Sequence, residues 1–171
     1  MAQVTEAKTD MAPRQPPPFR ISRIFHAPRE TVFAAWSTAD HVKRWFSSET
    51  FTVSEARVEM HVGGAFEVRM RSPAGEEHWT RGTFVEVVTP TRLAIDMLVT
   101  EVMDSAGSTG KPLFRAYTEV NFSDVLGGTQ MDVVQTYTLI DPLVAWMLAG
   151  APEGWRTTLD KLANEVVRMQ G

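Results

Sequence analysis

The sequence predicts an α+β fold, in which a curved antiparallel sheet of about seven strands wraps around a long C-terminal helix. The first observation is a stripe of apolar residues at helical spacing near the C-terminus. The second is an apolar/polar alternation of period two that begins at Phe51 and continues for about ninety residues. Runs of strands followed by a single long amphipathic helix are typical of α+β domains, where the helix covers one face of the sheet.

The C-terminal helix is predicted over residues 152–169. Its apolar positions follow one another at steps of four, three, four and three, which places them on one face of a helix: Trp155, Leu159, Leu162, Val166 and Met169. The predicted polar faces carry Arg156, Asp160, Lys161, Glu165 and Arg168. At about 1.5 Å per residue, this helix is roughly 27 Å long and can span a whole sheet.

The segment before the sheet divides into a tail, a strand and two short helices. Residues 1–18 are polar and end in three prolines, so we expect a disordered tail, followed by a single domain over residues 19–171. Residues 19–26 alternate as a first strand. Pro28 and Thr38 are residue types that begin helices, which predicts two short helices after strand one.

The remaining strands are joined by turns rich in glycine and proline, which predicts consecutive hairpins. The longest exposed loop is expected at residues 104–112, and residues 141–149 are compatible with a further short helix. Glu67, Arg69 and Arg71 alternate with the apolar residues of their strand, so we expect them on a solvated outer face.

Composition excludes several classes of function. The formal net charge of −4 removes the electrostatic attraction on which nucleic-acid binding depends. The absence of cysteine fits a reducing, cytoplasmic location, and no apolar run is long enough for a membrane span. The four histidines do not have the spacing of a metal site, and no phosphate-binding glycine loop or dinucleotide fingerprint is present. We therefore expect no metal and no cofactor, and either a monomer or a homodimer.

Several short motifs, in this order and spacing, resemble the START-like superfamily (SRPBCC, birch-pollen-allergen-like). Within it they resemble the branch of activator of heat-shock-protein-90 ATPase homologues. The motifs lie at residues 25–30, 44–46, 62–66, 81–84, 127–129 and 154–155. The resemblance implies a helix-grip fold over residues 19–169, with a space between sheet and helix. The chain departs from the commoner family pattern at Phe46-Ser47 and in the additional segment 141–151, both near the expected cavity mouth.

Strand alternation together with this resemblance predicts which side chains point into the space between sheet and helix. The expected pocket-lining residues are Trp36, Trp45, Phe66, Met70, Met97, Phe122, Met131, Gln135, Tyr137, Trp155 and Leu159. Methionine and tryptophan suit an adaptable apolar pocket, although the same residues could fill a dry core. Gln135 and Tyr137 would be polar groups in this interior, bonded to each other, to water or to the polar end of a ligand.

Three functions follow as hypotheses. The leading one is binding of a small hydrophobic or amphipathic molecule between the sheet and the C-terminal helix, without intrinsic catalysis. The resemblance also implies an alternative, a chaperone-ATPase-regulating or other protein-interaction module with a protein partner. The third is a cyclase, dehydratase or hydrolase on the same fold, for which the sequence selects no catalytic residue.

Overall fold

The computed structural model of the chain describes residues 15–171. Most of the predicted disordered tail, residues 1–14, lies outside the described residues. Residues 15–18 have no secondary structure and lead into the first strand. Within this segment, the side-chain oxygen of Gln15 accepts a hydrogen bond from the Leu139 amide at 2.6 Å.

Seven strands and four α-helices make up the described chain. The strands are β1 (Phe19–Phe25), β2 (Thr52–Val58), β3 (Ala65–Arg71), β4 (Glu77–Val88), β5 (Arg92–Val102), β6 (Thr109–Val125) and β7 (Gly128–Leu139). The helices are α1 (Arg29–Ala34), α2 (Ala39–Trp45), α3 (Ala145–Ala149) and α4 (Ala151–Gln170), and a 3-10 turn at Pro142–Val144 precedes α3. The predicted α+β class, the two short helices after strand one and the long C-terminal helix are all confirmed.

All seven strands form one antiparallel sheet in the order β1-β7-β6-β5-β4-β3-β2. Strands β2 to β7 are a meander of hairpins, and β1 adds to the free edge of β7. The register shifts between Val53 and Glu55 and between Phe84 and Glu86. Because such bulges bend a strand and increase its twist, they help the sheet to curl around α4.

Gly82 lies on the concave face of β4, where the neighbouring strand leaves no room for a side chain. A Cβ atom at this position would lie 2.7 Å from the Asp96 carbonyl oxygen and 3.0 Å from Ile95 Cγ2. Only glycine therefore allows β4 and β5 to keep this close approach. Gly127 serves a different purpose, since its φ of +83° belongs to the tight turn between β6 and β7.

One end of the space between sheet and helices is filled by aromatic side chains. Trp36 of the α1–α2 segment meets Trp45 of α2 edge-to-face, with ring centroids 4.6 Å apart. Phe46 stands edge-on to Phe66 of β3 at 5.0 Å, and Phe66 in turn meets Phe84 at 5.9 Å. Edge-to-face aromatic pairs bury large areas and pack tightly, so this end of the molecule is a solid core.

Arg69 does not lie on a solvated outer face as predicted. It is only 6% exposed, forms an ion pair with Glu77 and donates hydrogen bonds to Glu55 at 3.2 Å and to the Ser105 carbonyl at 3.3 Å. The loop after β5 folds back over this face, where Trp79 Nε1 donates to the Gly107 carbonyl at 2.7 Å. The loop is also shorter than expected, because β6 already begins at Thr109.

Glu165 is likewise buried, although the helical pattern placed it on a polar face. It is 3% exposed and pairs with Arg168 one turn later in α4. Helix α2 packs against α4 at this level and brings His41 to 3.8 Å and Arg44 to 3.7 Å from the carboxylate. Contact between the two helices, which no local pattern encodes, therefore removes this acid from water.

Candidate functional site

A cavity of about 760 Å³ occupies the end of the sheet–helix space opposite the aromatic core. Its floor is the concave face of β3 to β7, and its walls are the segment 46–51 and the start of α4. The segment 144–151, which includes α3, forms the remaining side. A volume of this size matches the range of small-molecule sites, which are roughly 300 to 1,000 Å³.

Five of the eleven side chains expected to line a pocket border this cavity: Met70, Met97, Gln135, Tyr137 and Trp155. The other six, Trp36, Trp45, Phe66, Phe122, Met131 and Leu159, are packed in the core at 0–3% exposure. All eleven lie in the core or border the cavity, the side on which strand alternation and the family resemblance together placed them. Which end of the space each one occupies depends on its level along the sheet and helix, and periodicity does not contain that information.

Gln135 is the centre of a polar network at the cavity wall. Its Oε1 atom accepts hydrogen bonds from Tyr137 Oη at 2.6 Å and from Trp155 Nε1 at 2.8 Å. Its Nε2 atom donates to Thr118 Oγ1 at 2.9 Å. The network joins β6, β7 and the first turns of α4, so these side chains satisfy one another and hold the helix against the sheet.

Further residues of the wall were not predicted. His78 and Thr80 lie on the concave face of β4, two residues apart, and Phe51 packs edge-on to the His78 ring at 5.7 Å. The alternation of β4 contained the signal for both, because strand residues two positions apart share a face. Val144, Met147 and Leu148 come from the additional segment before α4, which carries apolar side chains at helical spacing.

Charges at the cavity are of one sign. Glu76, Glu77 and Glu101 border it, whereas neither lysine nor arginine does so within the described part of the chain. Glu77 is neutralised by its ion pair with Arg69. Glu76 and Glu101 are exposed, so they place negative potential at the rim.

Burial changes the protonation behaviour of two groups in the wall. Desolvation lowers the pKa of His78 below its ordinary value of 6.5, so the imidazole is neutral at neutral pH. Desolvation also raises the pKa of the Tyr137 phenol, which therefore remains protonated and donates to Gln135. The two rings offer uncharged hydrogen-bonding groups and no charge to the cavity.

The segment 46–51 is fastened to α4 by Lys161. The Lys161 ammonium donates to Ser47 Oγ at 2.9 Å, to the Ser48 carbonyl at 2.8 Å and to the Phe51 carbonyl at 3.0 Å. Burial lowers the pKa of Lys161, and the three acceptor oxygens replace the water that it loses. A lysine predicted on a polar face of α4 thus shapes one wall of the cavity.

A metal-binding cluster and a membrane-spanning helix are both absent from residues 15–171. There, no three His, Cys, Asp or Glu side chains lie close enough together to hold a metal ion. Among the same residues no helix is both long and apolar enough to cross a bilayer.

A curled antiparallel sheet that grips a long C-terminal helix defines the START-like class of proteins. The chain belongs to the family described as Activator of Hsp90 ATPase homolog 1-like protein, which matches residues 26–166. The predicted superfamily and branch are therefore confirmed. No curated protein matches the sequence.

Solved structures show the same fold. An AHSA1-like protein from Aeromonas hydrophila is 26% identical, with 89% of this chain and 94% of that chain covered and a TM-score of 0.60. A protein from Nitrosomonas europaea is 21% identical over 90% of this chain and 96% of that one, with a TM-score of 0.71. The AHSA1 protein from Silicibacter pomeroyi is 19% identical over 90% and 99%, with a TM-score of 0.69.

Proposed function

We propose that the protein binds a small hydrophobic or amphipathic molecule in the cavity between the sheet and α4, without catalysing a reaction. The observation that carries the proposal is the cavity itself, about 760 Å³ in volume and lined mainly by apolar and aromatic side chains. An apolar molecule that enters this cavity leaves water and contacts apolar side chains. The cavity is already open, so these side chains need not move apart first.

The bonding of the polar wall favours binding over catalysis. Gln135, Tyr137 and Trp155 form hydrogen bonds with one another. These bonds keep the cavity wall rigid. Neither a nucleophile paired with a base nor a carboxylate pair is part of this network. A rigid, preformed wall instead lowers the entropy that ordering would cost on binding.

Nile red, a neutral dye that fluoresces in apolar surroundings, tests the proposal. Ala116 is buried on the concave face of β6 and borders the cavity. The variant Ala116→Leu adds bulk to this space, and we expect it to weaken Nile red binding about tenfold, which corresponds to about 1.4 kcal/mol. The wild type should bind the dye in a saturable, one-site titration.

Thr136→Leu is the matched control, because Thr136 lies on the convex, exposed face of the adjacent strand β7. It adds similar apolar bulk outside the cavity and should leave the affinity for the dye unchanged. Circular dichroism and melting curves would establish that both variants fold. Absence of saturable binding to the wild type, or equal affinity of wild type and Ala116→Leu, would contradict the proposal.

A further inference from the structure

On β4, two polar side chains of the cavity wall make no side-chain hydrogen bond in the part of the chain that the structure describes. Thr80 is 4% exposed, and neither its hydroxyl nor the imidazole of His78 makes a side-chain hydrogen bond there. The polar network around Gln135 on the far strands is satisfied within itself. The wall on β4 therefore keeps unused hydrogen-bonding capacity that faces the cavity.

The Thr80 hydroxyl lies between apolar neighbours. In the sheet register Thr80 lies between Val68 of β3 and Val99 of β5, both of them buried and apolar. A hydroxyl in such surroundings is unfavourable unless it finds a partner, whereas valine has the same shape and would fit without loss. Because Thr80 borders the open cavity, water can reach its hydroxyl, and a polar group of a ligand can displace that water and keep the hydrogen bond.

His78 lies two residues before Thr80 on the same face of β4, nearer the rim of the cavity. Its register partners are Met70 on β3 and Glu101 on β5, and no ion pair joins His78 to Glu101. A neutral imidazole has one nitrogen that donates and one that accepts, and the threonine hydroxyl also does both. Together they match a group that can both donate and accept, which is the property of a hydroxyl.

The rim excludes one large class of amphipathic ligands. Glu76 and Glu101 are exposed there, and neither lysine nor arginine borders the cavity among the described residues. A carboxylate or sulfate head group would meet like charge at the rim, and the Lys161 ammonium behind segment 46–51 already donates to three oxygens of that segment, so the binding of such a head group is weakened. An uncharged head group does not meet this penalty.

We propose that the cavity takes an uncharged hydrophobic molecule that carries a hydroxyl group, alcoholic or phenolic, and that His78 and Thr80 bind that hydroxyl. This proposal rests on the proposed binding function and names the chemical class of its ligand. Thr80 supplies the deeper contact and His78 the contact nearer the rim, while the apolar body of the ligand lies against Met70, Met97 and Trp155.

Naphthalene, 2-naphthol and 2-naphthoate form a probe series that differs only in the polar group. Their affinities are measured by displacement of Nile red from the wild type. We expect 2-naphthol to bind about tenfold more tightly than naphthalene, the factor that one well-formed hydrogen bond supplies. The anionic 2-naphthoate should bind at least about tenfold more weakly than 2-naphthol.

The variants Thr80→Val and His78→Leu, singly and together, locate the hydroxyl. Each should reduce the preference for 2-naphthol over naphthalene, and the double variant should abolish it while naphthalene binding persists. Thr83→Val is the matched control, because Thr83 lies on the same strand but faces the exposed side of the sheet. It should keep the full preference of the wild type.

The outcomes separate this proposal from the proposed function. If Nile red and naphthalene bind but the hydroxyl adds nothing, or if the preference survives in the folded double variant, the hydroxyl site is refuted and the apolar binding function stands. Tighter binding of 2-naphthoate than of 2-naphthol would likewise overturn it. If the wild type binds neither Nile red nor any of the three probes, both proposals fail.

Discussion

At the residue scale, Gln135 shows how a polar side chain is accommodated in an apolar interior. It accepts from Tyr137 and Trp155 and donates to Thr118, so both ends of its amide are used. Sequence reasoning left its partner open among Tyr137, water and a ligand. The structure includes Tyr137 and adds two partners from β6 and α4, which strand periodicity alone does not bring together.

Replacing Gln135 by leucine tests how far this network stabilises the protein. The substitution removes the acceptor that the Tyr137 hydroxyl and the Trp155 indole share, and it removes the amide donor to the Thr118 hydroxyl. We expect a loss of about 2 to 4 kcal/mol in the free energy of unfolding, measured by urea denaturation.

Tyr137→Phe is the informative comparison, since it removes one donor and leaves Gln135 bonded to Trp155 and Thr118. We expect it to cost only about 1 kcal/mol. Equal losses for the two variants would show that the amide is not the centre of the network.

At the element scale, α4 does more than cover the sheet. Its buried stripe includes Trp155, Leu159, Leu162 and Val166, as the spacing predicted, while Met169 is only partly buried. Its next face holds the segment 46–51 through Lys161, and the Thr157 hydroxyl adds a bond from the Glu49 amide at 3.0 Å. One helix thus positions the core and one wall of the cavity.

The variant Lys161→Met should loosen that wall. Methionine keeps the apolar stem of the side chain but removes the three hydrogen bonds to residues 47–51. We expect a loss of about 2 kcal/mol in the free energy of unfolding, because hydrogen bonds from a charged group contribute more than neutral ones. Amide hydrogen exchange should accelerate within residues 47–51 and stay unchanged in β6 and β7.

Lys43→Met provides the control for the loss of a positive charge, because Lys43 is exposed on α2. It should change neither the stability nor the exchange of residues 47–51 appreciably. Unaltered exchange in that segment of Lys161→Met would mean that other contacts hold the wall.

At the scale of the whole molecule, the fold places a histidine where protonation opposes folding. Burial lowers the pKa of His78 below 6.5, so below this pH the unfolded chain takes up a proton that the folded chain resists. The free energy of unfolding therefore carries no cost from His78 above pH 6.5. It decreases as the pH falls from 6.5 through the lowered pKa of His78. Glu101 is the register partner of His78 and shares its face of the sheet, but burial is what sets the direction of the pKa shift.

The variant His78→Gln should lose less stability between pH 7.5 and pH 5 than the wild type does. Urea denaturation at a series of pH values measures both proteins, and the difference between them cancels the contributions of all other titrating groups. Parallel pH profiles for the two proteins would contradict the assignment to His78. A steeper loss in the variant would mean that the folded state stabilises the imidazolium instead.

The sequence by itself determined the fold class and the order of the elements. Period-two alternation, turns rich in glycine and proline, and the stripe of α4 each depend on residues close in the chain, so they can be read locally. The inward direction of the eleven expected pocket residues was predicted from strand alternation together with the family resemblance. Family motifs then pointed to the START-like class, which the match over residues 26–166 confirms.

Only the tertiary structure decided which inward side chains fill a core and which border an open cavity. Trp36 and Trp155 are both inward-facing tryptophans, yet three aromatic rings from α2, the residue after it and β3 surround the first. The second faces the space between β7, α3 and segment 46–51. The burial of Arg69 and Glu165 arose in the same way, from a loop and a helix distant in sequence. Filled or open volume depends on how distant segments meet, and no spacing along one strand or helix contains that information.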